Sequence, residues 1–244
     1  MGEMFIKSEE FTHMLNANDY PWFYAPELPK EGEIVLDPEE TRHMKAQRLT
    51  TGEKVSICDG KGLVAIGQVD QEGHVKIQEV HEVPKSDFSL VIAVAVPKGE
   101  RADWMLQKLA EFGVSTIIPL KTEHSVVLPR EAKQERWQRI LIEACKQSKQ
   151  AWLPELKPLS TIEQALQEKA DMMLLLDQAG KPVRDALHNM PKRVLAFVGP
   201  EGGFTDEEKQ QSQKAGCVPV SLGKHILRIE TAAMAIATAH NLFK

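Results

Sequence analysis

Cysteine is scarce in this sequence, and long apolar runs are missing. The three cysteines, Cys58, Cys145 and Cys217, lie far apart and form no CxxC pair. This spacing suggests neither a disulfide framework nor a zinc knuckle. No apolar run approaches the roughly 20 residues that a membrane-spanning helix needs. The first residues also lack the basic start and apolar core of a signal peptide. We therefore expect a soluble, cytoplasmic protein that has no membrane contact.

Several common catalytic and nucleotide-binding motifs are also missing. Gly223-Lys224 is followed by His225, so no P-loop is present. The closely spaced glycines of residues 60–67 lie in a strand-rich region with no helix after them, so the dinucleotide-binding fingerprint fails. The sequence contains neither a G-x-S-x-G nucleophile elbow nor an H-E-x-x-H zinc motif. Because the eight histidines are scattered, we expect no metal site.

Charge is unevenly distributed along a chain of otherwise globular composition. The chain is 42% hydrophobic and 27% charged, with a formal net charge of -5. These values exclude wholesale disorder and argue against a generally basic nucleic-acid coat protein. Residues 1–83 hold 8 basic and 16 acidic residues, whereas residues 84–244 hold 22 and 19. Such asymmetry is a weak indication of two domains.

The first half of the sequence has the pattern of a small β-domain. Short strand-like runs between turn formers predict strands at Glu33–Leu36, Lys54–Cys58, Leu63–Val69 and Val75–Val80. A short helix is expected around Glu39–Leu49, and Glu82–Asp87 is expected to be a linker. We therefore predict that residues 1–83 form a small β-barrel or sandwich.

The second half alternates strands and helices. Mostly apolar runs predict strands at Leu90–Val96, Val114–Leu120, Met172–Leu176, Val194–Val198 and Val218–Leu222. Helices are predicted at Asp103–Phe112, Glu131–Gln150, Thr205–Gln213 and Glu230–Leu242. The third helix opens with a capping box from Thr205 to Glu208. This alternation predicts that residues 84–244 form an α/β domain with a mostly parallel sheet covered by helices on both faces.

Three loops that follow predicted strands have the composition of a small-molecule pocket. They are the glycine-rich Phe197–Glu208, the segment Leu222–Ile236 and the shorter Asp177–Gly180. Because α/β proteins bind ligands at the carboxyl ends of parallel strands, we expect the three loops to converge. Thr231 is expected to cap the last helix. The alternatives are an ordinary strand-to-helix turn in the first loop and a structural ion pair between Arg228 and Glu230 in the second.

A basic segment lies near the start of the second half. Lys98, Arg101 and Lys108 are spaced so that they can line a track for phosphate groups. The alternative interpretation is an ordinary solvated helix surface, because the excess of basic residues in this region is small.

The motifs together resemble a known family. The matching segments are Pro97–Asp103, Gln107–Val114, Glu143–Ser148, Gly199–Thr205 and Leu222–Ala232, with further similarity at His43–Leu49 and Gly52–Gly62. In these segments the chain resembles the RsmE-type 16S ribosomal RNA uracil-N3 methyltransferases of the SPOUT superfamily. The resemblance covers nearly the whole chain, and the two C-terminal motifs in this order are its most specific part.

The resemblance implies a fold and an activity. The implied fold is an N-terminal PUA-like β-barrel that binds RNA and a C-terminal SPOUT domain with a deep trefoil knot, although chains rarely thread loops. The implied protein is a homodimer that uses S-adenosylmethionine. Its implied substrate is 16S ribosomal RNA in the small ribosomal subunit, methylated on N3 of the uridine at position 1498. Two alternatives remain: a SPOUT enzyme that methylates a ribose 2′-hydroxyl or another base position, and a non-catalytic ribosome-assembly protein that binds RNA.

Given the activity that the resemblance implies, we predict roles for individual residues. Cofactor binding is expected at Leu176, Gly199, Pro200, Glu201, Gly202, Leu222, Gly223, Ile226, Leu227, Arg228, Glu230, Thr231 and Ala232. Glu201 is expected to accept the N3 proton and Arg228 to stabilise the negative charge that develops on the uracil. The alternative for Glu201 is a structural role in hydrogen bonding to loop amides. RNA contact is expected at Lys98, Arg101, Lys108, His124, Arg42 and Arg48.

Three positions depart from the pattern of the family. His124 stands where arginine is common, Lys224-His225 stands where Pro-Arg is frequent, and Ile229 stands where threonine is usual. These departures concern the contact with RNA more than the binding of the cofactor.

Overall fold

The computed structural model describes residues 17–127, 131–188 and 191–243. The chain divides into two compact units. The first unit comprises Met1–Lys85 and Cys145–Leu153, and the second comprises Ser86–Ala144 and Pro154–Lys244. A short segment from the middle of the chain therefore belongs to the N-terminal unit. Within the described residues, no helix combines the length and the apolar character needed to cross a membrane.

A five-stranded sheet forms most of the first unit. Its strands are β1 (Trp22–Tyr24), β2 (Glu33–Ile34), β3 (Lys54–Cys58), β4 (Leu63–Val69) and β5 (Val75–Glu82), in the order β1-β3-β4-β5-β2. The pairs β3–β4, β4–β5 and β2–β5 are antiparallel, and β1 is parallel to β3. Phe23, Ile57 and Val75 pack with Met44 into an apolar core.

The strand predictions for this unit are largely confirmed. β3 and β4 have the predicted bounds, β2 ends two residues before Leu36, and β5 continues to Glu82, which was expected to open the linker. The prediction did not include β1. Its residues Trp22 and Phe23 are buried, but three residues are too few to show an alternating pattern in the sequence.

The helix of the first unit, α1 (Pro38–Ala46), has a well-defined beginning and end. The side chain of Asp37 accepts hydrogen bonds from the backbone of Glu39 and Glu40, each at 2.8 Å, and proline is favourable in the first turn. The helix was expected to reach Leu49. It ends earlier because Arg48 adopts a left-handed conformation with φ of 57°, which an α-helix does not accommodate.

A buried ion pair ties the segment Cys145–Leu153 to the rest of the first unit. Lys146 Nζ lies 2.5 Å from Glu40 Oε1, and the two side chains are only 4% and 5% exposed. Trp152 donates a hydrogen bond from Nε1 to the Val83 carbonyl at 2.9 Å. Because a buried charge without its partner is strongly destabilising, this pair requires the segment to stay in place.

The second unit is built around a seven-stranded sheet. Its strands are β6 (Ser89–Ala95), β7 (Thr116–Lys121), β8 (Glu155–Leu156), β9 (Ser160–Thr161), β10 (Met172–Pro182), β11 (Arg193–Val198) and β12 (Val218–Ser221). The order is β12-β10-β11-β6-β7-β8, and β9 also pairs with β7. All pairings between its described residues are parallel. The predicted α/β fold with a parallel sheet is therefore confirmed.

Six helices accompany this sheet in the described part of the chain. They are α2 (Glu100–Glu111), α3 (Glu131–Ser148), α4 (Ile162–Ala165), α5 (Val183–Leu187), α6 (Asp206–Lys214) and α7 (Ile229–Phe243). The predicted capping box of α6 is confirmed, because the side chains of Thr205 and Glu208 each accept from the other's backbone N–H. The last four residues of α3 belong to the first unit.

The last helix corrects one prediction. Thr231 was expected to cap α7, but the helix begins at Ile229, so Thr231 lies in its first turn with its side chain exposed. The small residues Ala233 and Ala237 of this helix are buried, as close packing against the sheet and α2 requires. Asn241 Nδ2 donates to the Phe112 carbonyl at 2.8 Å, which fixes the end of α7 beside the end of α2.

Candidate functional site

A cavity of about 430 Å³ lies where three segments of the parallel sheet end or lose their regular pairing. Its lining comprises Leu176, Asp177 and Gln178 in β10, residues 198–204 and Lys209 around the loop after β11, and residues 220–223, 225–229 and Ala232 around the loop after β12. The register of β10 against β12 shifts between Leu176 and Lys181, which opens the sheet beside the cavity. The predicted convergence of the three loops is therefore confirmed.

The loop after β11, Gly199–Thr205, is held by contacts from the exit of β7. His124 Nδ1 lies 3.0 Å from the Gly203 carbonyl oxygen, so the ring nitrogen is the donor of this hydrogen bond. A Cβ atom on Gly202 would lie 3.1 Å from His124 Cβ, which leaves little room for any side chain there. The glycine at this position therefore allows the loop to approach the histidine closely.

Glu208 connects the same two loops with a single carboxylate. Its Oε2 atom accepts a hydrogen bond from the Thr205 backbone at 2.8 Å, and its Oε1 atom accepts one from the Glu123 backbone at 2.9 Å. The helix cap of α6 is thus also a link to the exit of β7. This arrangement restrains the glycine-rich loop from two sides.

The loop after β12 presents backbone groups and apolar side chains to the cavity. Gly223 has φ of 149°, a conformation that side-chain-bearing residues rarely adopt, and a Cβ built there would meet nothing within 4 Å. Gln178 Nε2 donates to the Lys224 carbonyl at 3.3 Å, so the loop lies against β10. Ile226 is 83% exposed and Leu227 is 36% exposed. Apolar side chains left open at a cavity are typical of a site that a ligand covers.

Asp177 and Lys209 form an ion pair in the wall of the cavity. Lys209 Nζ lies 2.8 Å from Asp177 Oδ2, and the backbone N–H of Ala179 donates to Oδ1 at 2.9 Å. The hydrogen bond from Lys209, helped by that from Ala179, lowers the pKa of Asp177 below its ordinary value of 3.8. The carboxylate therefore stays ionised at neutral pH and its charge is balanced within the wall.

We expect Lys209→Met to lower the free energy of unfolding by less than about 1 kcal/mol at neutral pH, because the pair is partly exposed. A carboxylate whose pKa is lowered on folding stabilises the protein above its unfolded pKa, and this stabilisation is lost as the pH falls through the folded pKa. The difference between variant and parent should therefore be largest above pH 3.8 and should shrink below it. Urea unfolding across this range measures it. Lys214→Met, at the other end of α6, is the control, and an equal loss at every pH would contradict the assignment.

A second group of charges lies at the edge of the glycine-rich loop. Arg101 Nη2 is 3.5 Å from Glu201 Oε1, and Arg101 Nη1 is 3.7 Å from Glu230 Oε1. The ion pair recorded for Glu230 is thus with Arg101 and not with Arg228, which is exposed at the cavity. The alternative interpretation of a structural pair between Arg228 and Glu230 is not supported.

Most residues predicted to bind the cofactor line the cavity. The two that do not are Glu230, which is buried beside Arg101, and Thr231, which is exposed on α7. Five further lining residues belong to the predicted loops but were not named as cofactor ligands: Val198, Gly203, Phe204, His225 and Ile229. Lys209, Val220 and Ser221 lie outside the predicted loops and were not expected at the cavity. Lys209 could have been found from its place directly after the capping box of a helix that follows a candidate loop.

The residues predicted to contact RNA do not share one environment. Lys98, Arg42 and Arg48 are exposed. Lys108 Nζ instead lies 2.7 Å from Glu111 Oε1, and Arg101 is paired with two carboxylates as described above. The charges of these last two residues are therefore already compensated within the protein, which does not favour their use as a phosphate track.

An acidic cluster in the first unit brings together ligand types that metals accept. Atoms of Glu33, Asp70 and His74 lie within 4.8 Å of one another. Asp70 Oδ1 already accepts backbone hydrogen bonds from Glu72 and His74 at 2.8 and 2.9 Å, so the cluster is explained by the turn between β4 and β5.

Comparison with known proteins connects this geometry to a family. The family model described as an RNA methyltransferase domain matches residues 84–241. Ribosomal RNA small subunit methyltransferase E of Synechocystis is 32% identical over 224 residues, which cover 87% of this chain and 74% of the relative. The protein of the same name from Bacillus subtilis is 28% identical and covers 80% of this chain and 84% of its own length.

Solved structures extend the comparison to the fold. A methyltransferase from Legionella pneumophila, solved with bound S-adenosylmethionine, superposes with a TM-score of 0.84 at 31% identity over 91% of this chain and 97% of that chain. Ribosomal RNA small subunit methyltransferase E from Neisseria gonorrhoeae, also bound to S-adenosylmethionine, superposes with a TM-score of 0.82 at 31% identity and the same coverage.

Proposed function

This chain belongs to the family of ribosomal RNA small subunit methyltransferase E, and we propose that it transfers a methyl group from S-adenosylmethionine to N3 of a uridine in 16S ribosomal RNA. The observation that carries the proposal is the cavity formed by the three loops, with its lining of glycine, backbone and apolar groups. The bound cofactor of the Legionella and Neisseria relatives supports the same ligand for this cavity.

The residues present fit S-adenosylmethionine. A volume of about 430 Å³ lies in the range typical of cofactor sites. Backbone groups of Gly199, Leu222, Ile226 and Leu227 would hold the adenine and the ribose, while apolar side chains would cover their faces. The open space beside Gly223 leaves room for a ligand to lie against the main chain. When bound, the cofactor supplies an electrophilic methyl group on its sulfonium.

The protein's own contribution is to position the base and to handle its proton. Neutral uracil carries a proton on N3 and is a weak nucleophile there, so methylation needs a proton acceptor. Glu201 lines the cavity with its side chain 46% exposed, which allows it to reach an incoming base. Arg228 lies in the same lining and would stabilise the negative charge that develops on the uracil carbonyl groups.

The cysteines support attack by nitrogen rather than by a carbon of the ring. Methylation of a pyrimidine carbon generally needs covalent activation by a thiolate. No cysteine is among the described residues that line the cavity. Burial also raises the pKa of Cys58, Cys145 and Cys217 to about 12, so these thiols stay protonated.

The substrate we propose is the uridine at position 1498 of 16S ribosomal RNA. The names of the relatives support the coarser part of this proposal, which is ribosomal RNA of the small subunit. A base must leave the stack for its N3 to become accessible, so the target is expected to be splayed or flipped out. The exposed side chains of Lys98, Arg42 and Arg48 would contact the surrounding phosphates, and His124 would contact RNA near the glycine-rich loop. A cytoplasmic protein fits this substrate.

The finer architectural features are also proposals. We propose that residues 1–83 form a PUA-like RNA-binding barrel, which the mostly antiparallel sheet supports. For residues 84–244 we propose a homodimeric SPOUT domain with a trefoil knot. The resemblance to the SPOUT family is what supports the knot and the dimer, and the parallel sheet of this unit is consistent with that domain.

Methyl transfer to purified small subunits tests the proposed function. We expect the protein to transfer label from methyl-labelled S-adenosylmethionine to small subunits that lack this modification, and not to subunits that already carry it. Nuclease digestion and mass spectrometry should place the methyl group on uracil N3. A methyl group on a ribose 2′-hydroxyl or on another base position would overturn the proposed position. Binding of subunits with no transfer at all would identify a non-catalytic assembly protein.

A further inference from the structure

Arg101 connects the glycine-rich loop to the start of α7. Its guanidinium lies between two carboxylates, 3.5 Å from Glu201 Oε1 and 3.7 Å from Glu230 Oε1. The arginine stands in the first turn of α2 and is 37% exposed at its side chain. Three different segments of the second unit therefore meet through one cation.

The side of this cluster at Glu230 is rigid. The Glu230 side chain is only 6% exposed, and it belongs to the first turn of a helix packed against the sheet. A carboxylate at such depth is costly unless a cation accompanies it, and the recorded cation is Arg101. Among the described residues, Glu230 Oε2 has no hydrogen-bond partner, which leaves Arg101 as its main compensation. The position of Arg101 is thus fixed by its ion pair with the buried Glu230.

The side at Glu201 is open. Glu201 stands in a loop with glycine at the next two positions, and its side chain is 46% exposed. An unrestrained glutamate of this kind samples many rotamers. The distance of 3.5 Å to Arg101 is longer than an ordinary N–H···O hydrogen bond, so the arginine attracts the carboxylate without occupying its acceptor positions closely. The carboxylate of Glu201 is therefore open to an incoming base.

We propose that Arg101 is a positioning residue. Its ion pair with the buried Glu230 fixes the guanidinium, and the guanidinium in turn keeps the proton acceptor Glu201 in place. The inference rests on the proposed function and refines it, because it gives Arg101 a role in the reaction in place of the predicted contact with phosphate. The three charges sum to one negative charge, which disfavours phosphate at this position. The attraction of the Arg101 guanidinium holds the carboxylate of Glu201 at the edge of the cavity.

The test compares Arg101→Met, Arg101→Lys, Glu201→Gln and the double variant Arg101→Met with Glu201→Gln. Arg136→Met is the matched control. Arg136 in α3 pairs at 2.6 Å with Asp103 of α2, the helix that carries Arg101, and Arg136 does not line the cavity. For each protein, kcat and KM are measured for methyl transfer to small subunits. Calorimetry gives the affinity for S-adenosylmethionine, and thermal unfolding shows whether the variant is folded.

We expect Arg101→Met to lower kcat by about 10- to 100-fold, with KM and cofactor affinity near those of the parent, because misplacement of a catalytic group acts on the chemical step. Arg101→Lys keeps the charge beside Glu230 and should fold normally. A single ammonium cannot span both carboxylates as the guanidinium does, so this variant should lose a smaller part of kcat. Arg136→Met should keep the kcat of the parent.

The double variant separates a positioning role from a merely structural one. If Arg101 acts through Glu201, the double variant should be no slower than Glu201→Gln alone. Multiplicative losses in the double variant, or a parental kcat in both Arg101 variants, would overturn the inference while leaving the proposed function intact. If Arg101→Met does not fold, Arg101→Lys replaces it: a lowered kcat supports the inference, and a parental kcat overturns it. Absence of transfer by the parent protein would instead overturn the proposed function, and this inference with it.

Discussion

Glu201→Gln is expected to lower kcat for methyl transfer by about 10²- to 10⁴-fold, which is the usual contribution of a general base. Glutamine has nearly the same shape as glutamate and can still accept hydrogen bonds, but it cannot take up the N3 proton. Because the carboxylate is needed only when the base reacts, the affinity for S-adenosylmethionine should stay within about threefold of the parent value. Single-turnover transfer to small subunits and calorimetry measure the two effects separately.

Two further variants make this result interpretable. Arg228→Ala should also lower kcat, by about 10²- to 10³-fold, because it removes a cation near the developing negative charge. Glu207→Gln is the matched control, since Glu207 is an exposed carboxylate in the first turn of α6 and does not line the cavity. It should keep the parental rate. If Glu201→Gln also keeps that rate, Glu201 is a structural residue of the loop and the proton acceptor lies elsewhere.

Gly223→Val is expected to weaken the binding of S-adenosylmethionine by at least about 100-fold. The main chain at this position has φ of 149°, so a β-branched residue is strained there whatever the space around it. Relief of that strain would move the backbone groups that are expected to hold the adenine. The new side chain would also occupy open space at the cavity. Calorimetric titration with S-adenosylmethionine measures the loss.

A second glycine separates strain from the loss of the site. Gly73 has φ of 84°, lies in the turn between β4 and β5, and likewise has open space where a Cβ would stand. Gly73→Val should therefore reduce stability, by about 1 to 2 kcal/mol, with unchanged cofactor affinity. Normal affinity in Gly223→Val would remove the loop after β12 from the cofactor site. Equal losses of affinity in both variants would point to a general effect of destabilisation.

Local patterns in the sequence were sufficient for most of the second unit. Buried parallel strands appear in a sequence as continuous apolar runs, so the predicted runs overlap the observed strands β6, β10, β11 and β12. The capping box of Thr205 and Glu208 also located α6, because the two residues hydrogen-bond across a single turn. Such features depend on neighbours in sequence and are visible without the fold.

The sequence by itself determined the succession of strands and helices along the chain and the place of the glycine-rich loops after strands. It also determined the resemblance to a methyltransferase family. Only the tertiary structure decided which charges meet. Arg101 was expected to contact phosphate because Lys98 and Lys108 lie in the same segment, yet the fold places it between Glu201 and Glu230, which are far away in sequence. The buried ion pair between Lys146 and Glu40 also joins residues that are far apart in sequence. Ion pairs between distant segments depend on burial and on the packing of whole elements, and no spacing rule within one segment contains that information.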